Sequence, residues 1–299
     1  MANWIIFVFI AQGIWSITSL IDKIVISKGY IRNPLVYIVL NGLTGILLVF
    51  LLPFVGFESL KFADFFIALL AGALFSASVA LYYKAVQFDD ISRVIILMQI
   101  APIFVLILSY FFLGETLTGN HLIGFLLLLG AGIIVSFTKV QKSFRLSKAF
   151  WYMLFCGLLG SISFIMAKYI FTITSFWNAF LWLRLSGFMA LVVLAVPSIR
   201  IDFVESYKKC GSRPKGLLAF KMIIDFSAFV FAGYALVQGK ASLISALSSS
   251  ITPIFVFVLT AITSIYLPHV VKEEINTKAI LTKIMAILLI VAGIIFINF

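Results

Sequence analysis

Ten runs of mostly apolar residues, each close to 20 long, are separated along this chain by short polar breaks. They fall near residues 4–22, 35–55, 63–83, 93–113, 120–138, 149–170, 176–197, 217–236, 242–267 and 279–298. A helix needs about 20 such residues to cross the hydrocarbon core of a bilayer. The runs do not alternate polar with apolar, so helices fit them and barrel strands do not. Hydrophobic residues make up 63% of the 299 and charged residues 11%. Soluble domains sit near 45–50% and about 25%, so the apolar excess must face lipid. A cytosolic enzyme, a secreted disulfide scaffold and a nucleic-acid module are thereby excluded, despite the net charge of +11. The expected fold class is an all-α integral membrane protein with ten transmembrane helices. The start, Met1-Ala2-Asn3-Trp4, lacks a positive n-region, so the first run is expected to stay as a span.

The chain is also doubled. Residues 82–105 align without a gap to 233–256, sharing Tyr83/Tyr234, Val86-Gln87/Val237-Gln238 and Pro102–Val105/Pro253–Val256. Ala131-Gly132-Ile133-Ile134 returns as Ala292-Gly293-Ile294-Ile295, and Ser16-Ile17, Lys23 and Gly42 return as Ser161-Ile162, Lys168 and Gly187. Two five-helix units follow, 1–140 and 149–299. An odd number of spans per unit turns the second upside down relative to the first. Inverted repeats of this kind build transporters, with the solute site at the repeat interface near the midplane.

Lysines and arginines are divided unevenly between the two sides. Loops after odd-numbered spans carry seventeen: Lys23, Lys28, Arg32, Lys84, Arg93, Lys139, Lys142, Arg145, Lys148, Arg200, Lys208, Lys209, Arg213, Lys215, Lys272, Lys278 and Lys283. Loops after even-numbered spans carry Lys61, Lys168 and Lys240. The positive-inside bias makes the odd loops cytoplasmic and both termini external. Contact with anionic lipid heads accounts for the remaining cationic character.

Charges inside a span are costly, so each marks a cavity or a partner. Three qualify: Arg184 in the seventh run, and Lys221 and Asp225 four apart in the eighth. Lys221 and Asp225 share a helix face and form either a structural ion pair or a coupling site where Asp225 exchanges a proton. Arg184 is the candidate for an anionic group of a solute. Gln12, Ser16, Ser19 and Lys23 stack along one side of the first span beside Trp15, either lining a cavity or gluing a helix seam. Ser242, Ser245, Ser248, Ser249 and Ser250 precede Pro253, and Gln99 precedes Pro102; the two prolines are candidate gating kinks. Tyr83 and Tyr234 align in the repeat and are placed at the cavity. Glu115, in a short turn, is expected to serve the N-terminus of the fifth span. The small pairs Gly42/Gly45, Gly72/Ser76 and Gly157/Ser161, with Gly130, are expected at close helix contacts.

The stretch Pro102–Leu117, with its Leu-Gly-Glu turn, and the glycine-bearing Leu122–Ile134 resemble the EamA-like transporters of the drug/metabolite transporter superfamily. Trp15-Ser16, Lys23 and Leu183-Arg184-Leu185 resemble that family's markers elsewhere, and the likeness spans nearly the full length. The second half has Tyr266–Glu274 where Leu-Gly-Glu is expected. The resemblance implies two EamA-like repeats, 1–140 and 149–299, and export of small organic metabolites across the cytoplasmic membrane by alternating access. Many members of that family have both termini inside, against the charge bias. Arg184, Trp15, Gln12, Ser16, Tyr83, Gln99, Tyr234 and Ser249 are the candidate solute-binding residues, and Asp225 with Lys221 the candidate proton-coupling pair. The cation-lined interior favours an amino-acid-like, zwitterionic or anionic solute. A cationic multidrug exporter, or a non-transporting scaffold or lipid-binding protein, is the alternative; a solvent-filled central cavity would favour transport over a scaffold. No enzyme constellation, cofactor motif or metal cluster is evident: there is no Walker loop, and His121 and His269 are far apart, as are Cys156 and Cys210. Partners are the small-molecule solute and the bilayer, with the chain a monomer or homodimer.

Overall fold

The computed structural model describes residues 3–27, 36–45, 47, 53–88, 94, 97–137, 148–209, 211–266 and 277–298. Among them the chain is all-helical, without a strand. The helices are α1 (Asn3–Ser27), α2 (Val36–Leu43), α3 (Phe62–Phe88), α4 (Met98–Leu113), α5 (Gly119–Phe137), α6 (Lys148–Ile173), α7 (Phe176–Ala195), α8 (Pro197–Lys209), α9 (Ser212–Gln238), α10 (Ala241–Tyr266) and α11 (Thr277–Asn298). Seven of these (α1, α3, α6, α7, α9, α10 and α11) hold stretches long and apolar enough to cross a membrane, and α4 and α5 hold shorter apolar ones. Of the run 35–55, Val36–Leu43 is described as an α-helix. The loop cations Lys28, Arg32, Arg93, Lys139, Lys142, Arg145 and Lys272, with Cys210 and His269, lie outside the described residues.

Packing joins segments distant in sequence. Helix α1 lies against α9 and α10, α6 against α3 and α4, α2 against the second half of α7, and α5 against α11. Apolar side chains such as Phe66, Phe111, Leu126, Phe220 and Leu288 point outward, the surface a bilayer requires. Inside, Val8, Phe125, Leu128, Leu243 and Leu247 share one buried cluster across α1, α5 and α10. Without a hydrophobic drive in lipid, helices associate where small residues let backbones approach. A Cβ on Gly124 would meet the Gly293 carbonyl at 2.8 Å, and one on Gly293 would meet the Gly124 carbonyl at 3.1 Å, which fixes the α5–α11 crossing. Gly42 meets Ala190 and Gly72 meets Ser186, bringing α2 and α3 onto α7. Gly130 faces open space and makes no such contact.

Two elements depart from the sequence reading. Residues 198–216 read as a loop because polar side chains interrupt the apolar run, yet Pro197–Lys209 is helical. Its Ile199 is buried while Ile201, Val204 and Tyr207 are exposed beside Arg200 and Lys208, the pattern of a helix lying in the membrane interface. The second departure is in α7, where Gly187–Ala195 is a 3-10 helix following Phe176–Ser186. Runs of 3-10 longer than three or four residues are uncommon. This one begins where Gly187 and Ala190 sit against Gly42.

Candidate functional site

Helices α1, α2, α3, α6, α7 and α9 surround a cavity of about 250 Å³. Its walls are mostly apolar and aromatic, with Trp15, Phe75, Phe171, Phe180 and Phe229 among them. Arg184 is the one charged side chain among the described lining residues. Its position follows from the local chain: Arg184 lies in the last α-helical turn of α7, just before the 3-10 segment, whose Gly187 and Ala190 also line the cavity. The guanidinium carbon stands 3.7 Å from the ring centroid of Phe229 and 6.0 Å from that of Phe180. Trp15 packs edge-on to Phe229 at 5.3 Å. An aromatic face holds a guanidinium by cation–π attraction and leaves its N–H fork available. No carboxylate among the described residues lies within ion-pair distance of it.

Hydroxyls complete the lining. Ser76 donates to the Gly72 carbonyl at 2.9 Å, Ser163 to the Ala71 carbonyl at 2.8 Å, and Ser186 to the Leu183 carbonyl at 2.7 Å. With their protons committed to backbone, these oxygens are left as acceptors in the cavity lining. The cavity therefore offers one cationic fork, several acceptors and aromatic walls.

The other residues singled out in the sequence fall elsewhere. Gln12 and Ser16 are buried in the α1 seam: Ser16 donates to the Gln12 carbonyl at 2.7 Å, and Gln12 Oε1 accepts from Thr252 at 2.7 Å. Ser19, on the same predicted stripe, is exposed and bonds the Trp15 carbonyl. Tyr234 stacks on Phe176 with centroids 3.9 Å apart, and Phe7 lies 5.5 Å away, outside the lining. Tyr83 packs beside Tyr82 at 5.4 Å, against Ile21 and Val25 of α1. Ser249 donates to Ala246 at 3.0 Å.

The two prolines are not equivalent. Pro253 lies inside α10, where its missing N–H frees the Ser249 carbonyl. Gln99 Nε2 donates to that carbonyl at 3.3 Å. Pro102 instead sits in the first turn of an α-helix, after the 3-10 turn Met98–Ile100, where a missing donor disturbs nothing.

Polar contacts gather at two ends of the bundle. At one end, Gly114 (φ 64°) closes α4 in the left-handed conformation that favours glycine, and turns Glu115 toward the neighbouring helices. Glu115 accepts from the Ala241 amide at 2.8 Å and pairs with Lys168 at 2.8 Å. It thus caps α10, not the fifth span that follows it. Lys168 also donates to the Gly239 carbonyl, and Lys240 reaches the Thr116 carbonyl at 2.7 Å and His121 at 3.1 Å. Every one of these groups follows or ends an even-numbered apolar run, or, like His121, begins the odd-numbered run after it. Glu115→Ala removes a cap and an ion-pair partner together. It is expected to destabilise the protein by about 2 kcal/mol, read as a lowered thermal unfolding midpoint.

At the other end, Lys221 Nζ lies 2.5 Å from Asp225 Oδ2 and 3.7 Å from Asp22 Oδ1. Lys221 and Asp225 are 6% and 4% exposed, so the pair is embedded in protein. The sequence reading paired these two and missed Asp22, which sits at the end of the first run beside Lys23 and reads as an interfacial residue.

Apolar helices wrapped around a cavity of solute size define a multi-pass membrane protein. Residues 2–138 match the profile of the EamA-like transporter family. That family is part of the drug/metabolite transporter superfamily, a class of membrane transporters. A solved structure, titled a crystal structure of a protein, shares the fold at TM-score 0.71 and 18% identity, covering 99% of this chain and 95% of that one. No curated protein matches the chain.

Proposed function

We propose that this protein is a secondary transporter of small carboxylate-bearing metabolites, amino-acid-like or anionic, working by alternating access across the cytoplasmic membrane. The carrying observation is Arg184, held on the face of Phe229 and turned to a cavity with no acidic lining residue among those described. An arginine fork binds a carboxylate with two parallel hydrogen bonds. The serine oxygens suit an ammonium or hydroxyl, and the aromatic walls suit an apolar body. A cationic drug would meet Arg184 as a like charge, which disfavours a multidrug exporter. The presence of a cavity, in place of a packed seam, favours transport over a scaffold.

Two units, 1–140 and 149–299, related by inversion, are part of this reading. The helix contacts support it: replacing each helix by its counterpart five spans along turns the α1–α9 and α1–α10 contacts into α6–α3 and α6–α4. The gathering of even-run and odd-run contacts at separate ends supports spans that cross alternately. The charge bias then places the Lys221 end in the cytoplasm and both termini outside. A proton is proposed to enter the charged cluster around Lys221 and Asp225 during transport, and Asp225→Asn is expected to alter the pH profile. An unchanged profile would remove that residue from the coupling.

The test is transport by purified protein in liposomes, with a panel of amino acids and monocarboxylates, with and without a proton gradient. Saturable movement of a carboxylate-bearing solute is expected. Preference for organic cations would overturn the solute class.

A further inference from the structure

We infer that an anion crosses with one proton and a zwitterion without one, the proton being held by Asp22. This inference rests on the transporter reading and specifies its coupling.

Four charged side chains run from the cavity to one end of the bundle. Arg184 faces the cavity and lies on Phe229, one helical turn from Asp225 on α9; Asp225 pairs with Lys221; Lys221 stands 3.7 Å from Asp22. Two cations and two carboxylates leave this chain neutral while the cavity is empty. A carboxylate or sulfonate bound to Arg184 makes it negative by one, in surroundings where unbalanced charge is costly. A proton restores neutrality. It goes to the carboxylate whose ionised form is held least. Asp225 has the Lys221 ammonium at 2.5 Å, whereas Asp22 has it at 3.7 Å and its buried Oδ1 accepts no hydrogen bond among the described residues.

The Asp22 side chain is also the more open of the two, 27% accessible where that of Asp225 is 5%. Among the described residues, the charged and titratable groups facing Asp22 are Lys221 and Asp225 from α9 and Tyr83 from α3. The proton adds to the Asp22 carboxylate when the anion binds and leaves as the anion leaves on the other side. Nothing is oxidised and no other bond changes. A zwitterion leaves the sum at zero and recruits no proton. Net direction follows the combined gradients, so export runs when the internal anion outweighs the inward proton gradient.

The decisive measurement is an infrared titration of the carboxylic-acid stretch in purified, monodisperse protein without any solute. A band lost in Asp22→Asn is expected. Its midpoint should rise in Arg184→Gln, which mimics the added negative charge, and fall in Asp225→Asn. A band that survives Asp22→Asn, or a midpoint indifferent to Arg184→Gln, overturns the inference. In liposomes, benzenesulfonate, a permanent anion, should accumulate against its gradient when driven by a pH difference, and its exchange should lose pH dependence in Asp22→Asn. Accumulation driven by the pH difference in Asp22→Asn equal to that of the unaltered protein would also overturn it. If benzenesulfonate is not moved at all, the solute class proposed above fails, while the infrared titration still decides the role of Asp22.

Discussion

Arg184→Met is expected to lower the proposed carboxylate transport by about two orders of magnitude, read as initial exchange rates in liposomes at equal protein content. The figure follows from removing a charge-assisted contact in a desolvated site, about 2–5 kcal/mol, with each 1.4 kcal/mol worth tenfold. Methionine keeps the length and apolar stem of the side chain and still packs on Phe229, so the cavity walls stay in place. Arg184→Lys should recover part of the rate, because it restores the charge without the planar fork. A rate for Arg184→Met within threefold of the unaltered protein would separate this residue from solute binding.

Gly72→Val is expected to cost about 3 kcal/mol or more and to lower the yield of folded protein. A Cβ at residue 72 would lie 2.5 Å from the Ser186 carbonyl carbon and closer still to its oxygen. The obstacle is backbone, which cannot rotate aside as a side chain would, so α3 and α7 must separate. Their separation would also pull apart the cavity wall that Gly72 and Ser186 share. Fluorescence-detected size exclusion of the solubilised protein checks this. A monodisperse Gly72→Val with an unaltered unfolding temperature would show that the crossing is slack.

The parts of the molecule legible in the sequence are those that lipid makes unambiguous. Apolar runs marked α1, α3, α6, α9 and α10 because no other solvent tolerates them, and Arg184 stood out as a cation deep in such a run. Trp15 was found with it through the polar stripe on α1, although the stripe itself divides between the buried seam (Gln12, Ser16) and an exposed Ser19. Asp22 escaped notice because a carboxylate at the end of a span reads as surface, and only the arrival of Lys221 from α9 makes it part of a cluster. Glu115 was assigned to the helix that follows it, since its partners Lys168 and Ala241 are 53 and 126 residues away and no local pattern announces them. Phe229 and the cavity serines were invisible for a different reason. Phenylalanine is everywhere in this chain, with 32 copies, and composition cannot say which ring will lie under a guanidinium.

The 3-10 half of α7 sets a length. At about 2.0 Å per residue, Gly187–Ala195 reaches roughly 18 Å where an α-helix of nine residues would reach roughly 13.5 Å. With the eleven α-helical residues before it, the twenty-residue segment extends roughly 34 Å, against roughly 30 Å if it were α throughout. Winding those nine residues into an α-helix would shorten the segment by roughly 4–5 Å and replace three turns by two and a half, rotating one end by about half a turn against the other. Arg184 sits one turn from that junction, so the pitch of the backbone behind it acts as both ruler and screw for the only cation among the described walls of the cavity.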